Sequence, residues 1–224
     1  MSMQLTNKQK IGTYGEYLRE FKIPLVQQIV KEIIINTPTI YFGASTSSTG
    51  KYHPEATNGL AGLVKHSVAV MLTAKEMLNN ETMMKVFNMT NLSDLDKEII
   101  LAAALVHDNA KYGADEKEGS QKYYTEGAHP RLVVEIVKKS ELLKTLDAKG
   151  LRELNKMLKL IATHMGQWTN VRGGEPLDIP STPAQAFIHM CDYIVSRKTM
   201  DHVQNIKFPE DASTELVEWF SNQR

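Results

Sequence analysis

The sequence predicts an all-α protein, built as a single-domain helical bundle. Three observations carry that reading. Apolar residues recur at three- and four-residue spacing along most of the 224 positions. Helix-start signals stand in front of several of these runs. No two segments alternate apolar and polar residues as a pair of strands would. Composition agrees: 42% of residues are hydrophobic but only 7% aromatic, with 11 methionines, so the core is one of Leu, Ile, Ala and Met.

The elements follow in order. Between Ile23 and Ile35, Leu25, Val26, Ile29, Val30, Ile33 and Ile34 share one helix face. Tyr41 to Gly59 is crowded with Ser, Thr, Gly and Pro and reads as a loop. A second helix spans Leu60 to Leu78. A third starts after Ser93, where Ser93 and Asp96 form a capping box, and runs through Ile99, Ile100, Ala103, Ala104 and Val106 to His107. Tyr112 to Ala128 is polar and reads as a loop. Helices then fit Pro130 to Lys139, Asp147 to His164 and Pro183 to Thr199, the last with Thr182 as cap and Pro183 in the first turn. Val171 to Ser181 is a loop, and Thr214 to Phe220 a short final helix. This divides the chain into an N-terminal helical extension (1–40) packed on the core, a central domain (41–205) and a C-terminal tail or short helix (206–224).

Charge and cysteine content narrow the function. Lys and Arg total 26, as do Asp and Glu, so overall charge favours neither stable nucleic-acid binding nor an anionic membrane. Cys191 is the one cysteine, which fits a reducing compartment. No apolar run approaches the roughly 20 residues of a spanning helix, and Met1 to Lys10 is polar. A cytoplasmic protein is expected, in a cell or in the host of a phage that encodes it. Self-association into a homo-oligomer is left open.

The informative residues are the seven histidines, His53, His66, His107, His129, His164, His189 and His202. Several fall in or beside apolar helices, where an unpartnered buried polar group costs about 1–3 kcal/mol. Metal coordination is one way to satisfy them. His107 and Asp108 are adjacent, about 100° apart on a helix, so they can reach different sides of one metal site. Lys111 follows by four and three residues. If the helix continues, it shares their side and can hold a phosphate oxygen or assist a leaving group. Ser45 to Gly50 is a small-residue loop before Lys51, suited to cradling an anion through backbone N–H groups. It lacks the first glycine and the preceding strand of a P-loop. Ser47, Ser48, Lys51, His53, Arg197 and Lys198 are the candidate substrate-binding residues. His189, one turn before Asp192, reads as a hydrogen-bond partner of a ligand or a core contact, and Cys191 as a small core residue.

The ordered set His66 … His107-Asp108 … His129 … His164 … Asp192 resembles the HD superfamily of metal-dependent phosphohydrolases. Gly62-Leu63-Val64-Lys65-His66 is similar to its first-histidine motif, and Ala102 through Lys111 to its His-Asp helix. Ser47 to Pro54, His164 to Trp168 and His189 to Lys198 further resemble a phage and bacterial HD-domain subgroup. The resemblance covers about Tyr52 to Lys198. It implies an enzyme in which His66, His107, Asp108 and Asp192 hold one metal, His129 and His164 hold a second, and Asp108 bridges and acts in catalysis with Lys111. The mixed nitrogen and oxygen donors suit one or two divalent ions among Mn²⁺, Fe²⁺, Co²⁺, Ni²⁺, Zn²⁺ and Mg²⁺. The implied reaction is hydrolysis of a phosphomonoester or phosphodiester in a small phosphorylated substrate, a nucleotide first. The alternatives are a di-iron oxygenase of the same superfamily and a non-catalytic nucleotide-binding module. Guanosine-tetraphosphate hydrolases carry acidic residues soon after the His-Asp pair, where this chain has Asn109, Ala110 and Lys111. The Gly-Tyr-Pro signature of the cyclic-di-GMP subgroup does not occur.

Overall fold

The computed structural model describes residues 4–46, 53–116, 123–197 and 208–222. In chain order the helices are α1 (Asn7–Tyr14), α2 (Pro24–Asn36), α3 (Thr39–Gly43), α4 (Gly62–Leu78), α5 (Glu81–Val86), α6 (Asp94–Val106), α7 (His129–Lys139), α8 (Leu142–Thr145), α9 (Ala148–Ala162), α10 (Pro183–Val195) and α11 (Thr214–Ser221), with 3₁₀ turns at Gly15–Glu20 and Glu55–Thr57. Among the described residues no β-strand forms beyond an isolated bridge between Lys111 and Gly113.

The longest uninterrupted apolar stretch, Ile99 to Val106, sets the architecture. All eight of these residues are buried, and a helix apolar on every side has to sit inside the bundle. Accordingly α6 packs against α2, α4, α9 and α10. Ala102, Ala103 and Ala104 are fully buried, and their small side chains let neighbouring axes approach. The surrounding helices bury one stripe each: Val26, Ile29, Val30, Ile33 and Ile34 of α2, Val133, Ile136 and Val137 of α7, and Leu154, Met157, Leu160 and Ile161 of α9. These are i, i+3, i+4 patterns.

Caps fix where the helices begin. Ser93 and Asp96 make the expected capping box on α6, and Thr182 and Gln185 make another on α10 with Pro183 in its first turn. The Gln185 amide also donates to the Lys159 carbonyl at 3.2 Å, tying α10 to the end of α9.

Four points differ from the sequence reading. α1 was not foreseen, because its buried residues are Lys10, Thr13 and Tyr14 and apolar periodicity cannot register a polar face. Tyr41 to Gly43 are not loop but the end of α3, where Tyr41 and Phe42 enter the core. The short helices α5 and α8 were also passed over. The third long helix stops at Val106; His107 to Ala110 form turns instead of continuing it.

Gly62 shows how tightly the entry to α4 is built. A Cβ there would lie 2.0 Å from the Thr57 carbonyl oxygen, an overlap with backbone that a rotamer change cannot relieve. Gly62→Ala should therefore lower stability by at least about 1–3 kcal/mol, read as the urea midpoint; an unchanged midpoint would show that the 57–62 turn yields freely.

Candidate metal centre

The bundle gathers polar residues at one end of the buried α6. His66 comes from α4, His107 and Asp108 from the turn that ends α6, His129 from the first position of α7, His164 from just beyond α9, and Asp192 from α10. His66, His107, Asp108, His129 and His164 are all nearly inaccessible. Two overlapping groups, His66–His107–Asp192 and His107–Asp108–His164, place ligand-capable atoms within 4.8 Å of one another.

Three of the histidines are held the same way. His107 Nδ1 lies 2.7 Å from the Ala104 carbonyl, His129 Nδ1 2.8 Å from the Glu126 carbonyl, and His164 Nδ1 2.8 Å from the Ile161 carbonyl. Each carbonyl is three residues earlier. A carbonyl only accepts, so each Nδ1 must carry the proton, and in a neutral ring the lone pair is left on Nε2. For His107 and His164 the acceptors are carbonyls of the last turns of α6 and α9. The helix ends thus fix the imidazole tautomers.

The freed lone pairs converge. His129 Nε2 and His164 Nε2 are 3.2 Å apart, and both face Asp108 Oδ1, at 3.0 and 3.5 Å. Three acceptors pointing at one another repel unless a cation or a shared proton lies between them. On the other side of the carboxylate, Asp108 Oδ2 lies 3.6 Å from His107 Nε2 and 3.9 Å from His66 Nε2, and Asp192 Oδ1 lies 3.0 Å from His66 Nε2 and 3.8 Å from His107 Nε2. His107 Nε2 has no hydrogen-bond partner. Ligands about 2.1 Å from one ion at 90–110° are about 3.0–3.4 Å apart; the contacts of 3.0–3.5 Å around Asp108 Oδ1 lie close to that spacing, the 3.6–3.9 Å contacts of Asp108 Oδ2 and Asp192 are wider, and the donor types suit a divalent cation.

Electrostatics keep the donors in their ligating forms. Burial lowers the His107 pKa to about 4, against the pull of Asp108, and burial likewise lowers that of His129. Burial pushes the Asp108 carboxyl up, but the Lys111 ammonium beside it outweighs this and, with the surrounding imidazoles, holds it well below the usual range. Asp192 is also lowered, burial being overcome by His66 and His107.

Lys111 reaches Asp108 although the helix does not continue. A turn bond from Lys111 N to the Asp108 carbonyl, 2.9 Å, folds the chain back and sets Nζ 2.6 Å from Asp108 Oδ2. The ion pair raises the Lys111 pKa against burial, so the side chain stays charged. Glu126 N donates to the Lys111 carbonyl at 2.8 Å, which pins the segment entering α7 and aims His129 at Asp108.

The other expected residues are placed as follows. His53 lies against His66, ring centroids 5.3 Å apart, and burial lowers its pKa to about 3. Arg197 folds over Tyr193, 4.0 Å from the ring centroid. Ser47, Ser48, Lys51 and Lys198 lie outside the described residues. His189 does not face the ligands; its Nδ1 donates to the His164 carbonyl at 2.8 Å. Gly166, at φ +61°, allows the 164–166 turn to wrap this ring, since a Cβ would fall 2.2 Å from His189 Cε1. Cys191 is buried beside Met77, and burial pushes its thiol up to about 12.

One feature of the site had no signal in the sequence beyond its place in a motif. A pocket of about 440 Å³ has Lys111, Glu126, His129, Gln167, Trp168 and Asn170 among its lining residues. Trp168 stacks on Tyr193, centroids 5.5 Å apart and planes 9° apart, and meets the His189 ring at 5.6 Å.

Fold and site together define an all-α domain with a buried histidine–aspartate centre suited to divalent cations. The chain matches the HD domain family over residues 63–194 and belongs to it. No curated protein and no solved structure matches the chain. The family is one of metal-dependent, hydrolase-type domains.

The buried, neutral His107 gives a signed pH dependence. Its folded pKa of about 4 lies below its ordinary value of 6.5, so the unfolded chain takes up the proton first as pH falls. Stability is lost between about pH 6.5 and 4, and protonation of the depressed Asp108 and Asp192 adds loss at still lower pH. For the metal-free protein the urea midpoint should be clearly lower at pH 5 than at pH 7; equal midpoints would contradict this placement of His107.

Proposed function

We propose that this protein is a metal-dependent phosphohydrolase that cleaves a phosphomonoester or phosphodiester bond in a small phosphorylated molecule, a nucleotide before other classes. The observation that carries the reading is the set of three acceptors, Asp108 Oδ1, His129 Nε2 and His164 Nε2, facing one another within 3.5 Å, next to a pocket that His129 and Lys111 line. Such a set calls for a cation, and the adjoining ammonium suits an anionic substrate.

In this reading His66, His107, Asp108 and Asp192 hold one divalent ion, and Asp108, His129 and His164 a second. When bound, the ions acidify water and neutralise phosphoryl charge. The chain's own residues do the rest. Asp108 divides its two oxygens between the two halves of the centre and fixes their spacing. Lys111, kept cationic by Asp108, is placed to hold a phosphoryl oxygen as charge develops on it. Phosphoryl transfer depends mainly on such positioning and positive charge. His53, held neutral beside His66, offers the substrate a hydrogen bond at the rim. Ser47, Ser48, Lys51, Arg197 and Lys198 keep the substrate-binding role read from the sequence.

The test is metal analysis of the native protein with a phosphate-release screen across nucleotides under Mn²⁺ without O₂. Phosphate release is expected; an iron requirement with O₂ consumption would establish an oxygenase instead, and absence of metal would leave only a binding module. His107→Ala and Asp108→Ala should each abolish metal binding and turnover while far-UV circular dichroism stays close to wild type. Full activity in either would refute the site. Lys111→Ala should retain metal and lower turnover by about 10²–10³-fold; loss of metal would show that it acts through Asp108 instead of on substrate.

A further inference from the structure

We infer that the pocket beside the metal centre is the seat of a nucleobase, with Trp168 as its stacking surface, and that it admits a mononucleotide-sized ligand. The inference rests on the phosphohydrolase reading and adds to it the part of the substrate that is not cleaved.

Two observations point to it. Trp168 is 45% exposed yet lines the pocket together with Lys111 and His129, so an aromatic surface and the proposed phosphate-binding groups share one wall. It is also held rigidly, stacked on Tyr193 and flanked by His189. Its backbone N donates to the Met165 carbonyl at 3.1 Å, and Leu177 N to the Thr169 carbonyl at 2.8 Å. A large aromatic that is fixed before ligand arrives loses little conformational freedom on binding. The same short segment carries His164, so the platform and a candidate metal ligand move as one unit.

The remaining lining fits the edge of a heteroaromatic ring. Glu126 brings a carboxylate acceptor, and Gln167 and Asn170 bring amides that both donate and accept. Few polar groups on an otherwise apolar wall is the usual construction of a small-molecule site. The volume of about 440 Å³ lies toward the small end of the roughly 300–1,000 Å³ of such sites, which suits one nucleotide and not a polynucleotide strand.

Calorimetry on the metal-free full chain, which cannot turn substrate over by the proposed route, tests this with nucleoside 5′-monophosphates and with ribose 5-phosphate. The nucleotides should bind more tightly than the sugar phosphate. Trp168→Ala should weaken nucleotide binding by on the order of 10- to 100-fold and leave ribose 5-phosphate binding where it was, and Trp168→Phe should restore most of the loss. Equal affinity for nucleotide and sugar phosphate, or a nucleotide affinity unchanged in a folded Trp168→Ala protein, would overturn the base seat. Because binding is read without catalysis, the two readings fail separately. Missing phosphate release with the Trp168 effect intact sinks only the hydrolase; phosphate release with no Trp168 effect sinks only the base seat.

Discussion

A buried carboxylate surrounded by lone pairs is the constraint around which this fold is organised. Asp108 is about 1% exposed, and an ionised carboxylate in such surroundings is strongly disfavoured unless it is paired. Lys111 offsets part of that penalty through Oδ2. Oδ1 faces two imidazole nitrogens that the backbone has already committed as acceptors. Removing the imidazoles' tautomeric freedom turns a polar cluster into one that could hold a cation. Without the three carbonyl contacts, either ring could rotate its N–H toward Asp108 and satisfy it with ordinary hydrogen bonds.

Those carbonyls come from the fold, not from the site. The buried apolar α6 must end somewhere inside the bundle, and its last turn leaves acceptors without intrahelical partners. His107 takes one of them; at the end of α9 the His164 ring adds its N–H to the Ile161 carbonyl, which also accepts from the His164 backbone. The hydrophobic drive that buries α6 and the inner stripe of α9 thus brings two helix ends together and gives two histidines fixed acceptors. Core packing and site geometry are therefore one problem: shifting α6 along its axis would move Ala104, His107 and Asp108 together relative to His66 on α4 and Asp192 on α10.

The legibility of the sequence follows from this. The long helices were readable because their buried faces are apolar and periodic, and the six proposed metal-site residues because each stands at or near the end of such a run or inside one. The HD domain match over 63–194 bears out the resemblance carried by those residues. What escaped the sequence depends on polar burial or on tertiary placement. α1 buries Lys10 and Thr13, which no hydrophobic pattern reveals. Lys111 reaches Asp108 through a turn and not along a continued helix face, so their ion pair could not be read from spacing. Trp168 belongs to a motif visible in the sequence, but its stacking on Tyr193 arises only when the 164–170 turn meets α10.

The segment before the matched region is joined to the centre by more than apolar contact. The Tyr14 hydroxyl donates to Tyr41 at 3.0 Å, and Tyr41 to Ser67 at 2.9 Å, ending beside His66. The Asn109 amide, next to Asp108, donates to Thr37 Oγ1 at 2.8 Å, and Thr37 Oγ1 in turn donates to the Ile33 carbonyl at 2.7 Å. Lys10 Nζ donates to the Thr37 and Ile35 carbonyls at 2.6 and 3.1 Å. Burial raises the pKa of both tyrosines, so these hydroxyls stay neutral and act as fixed links. A buried chain of this kind is costly when broken at one member, because the partner is left unsatisfied where water cannot reach. α1, α2 and α3 are thereby coupled to the residues adjoining two proposed ligands, and the site is held in place from a part of the chain that contributes no ligand to it.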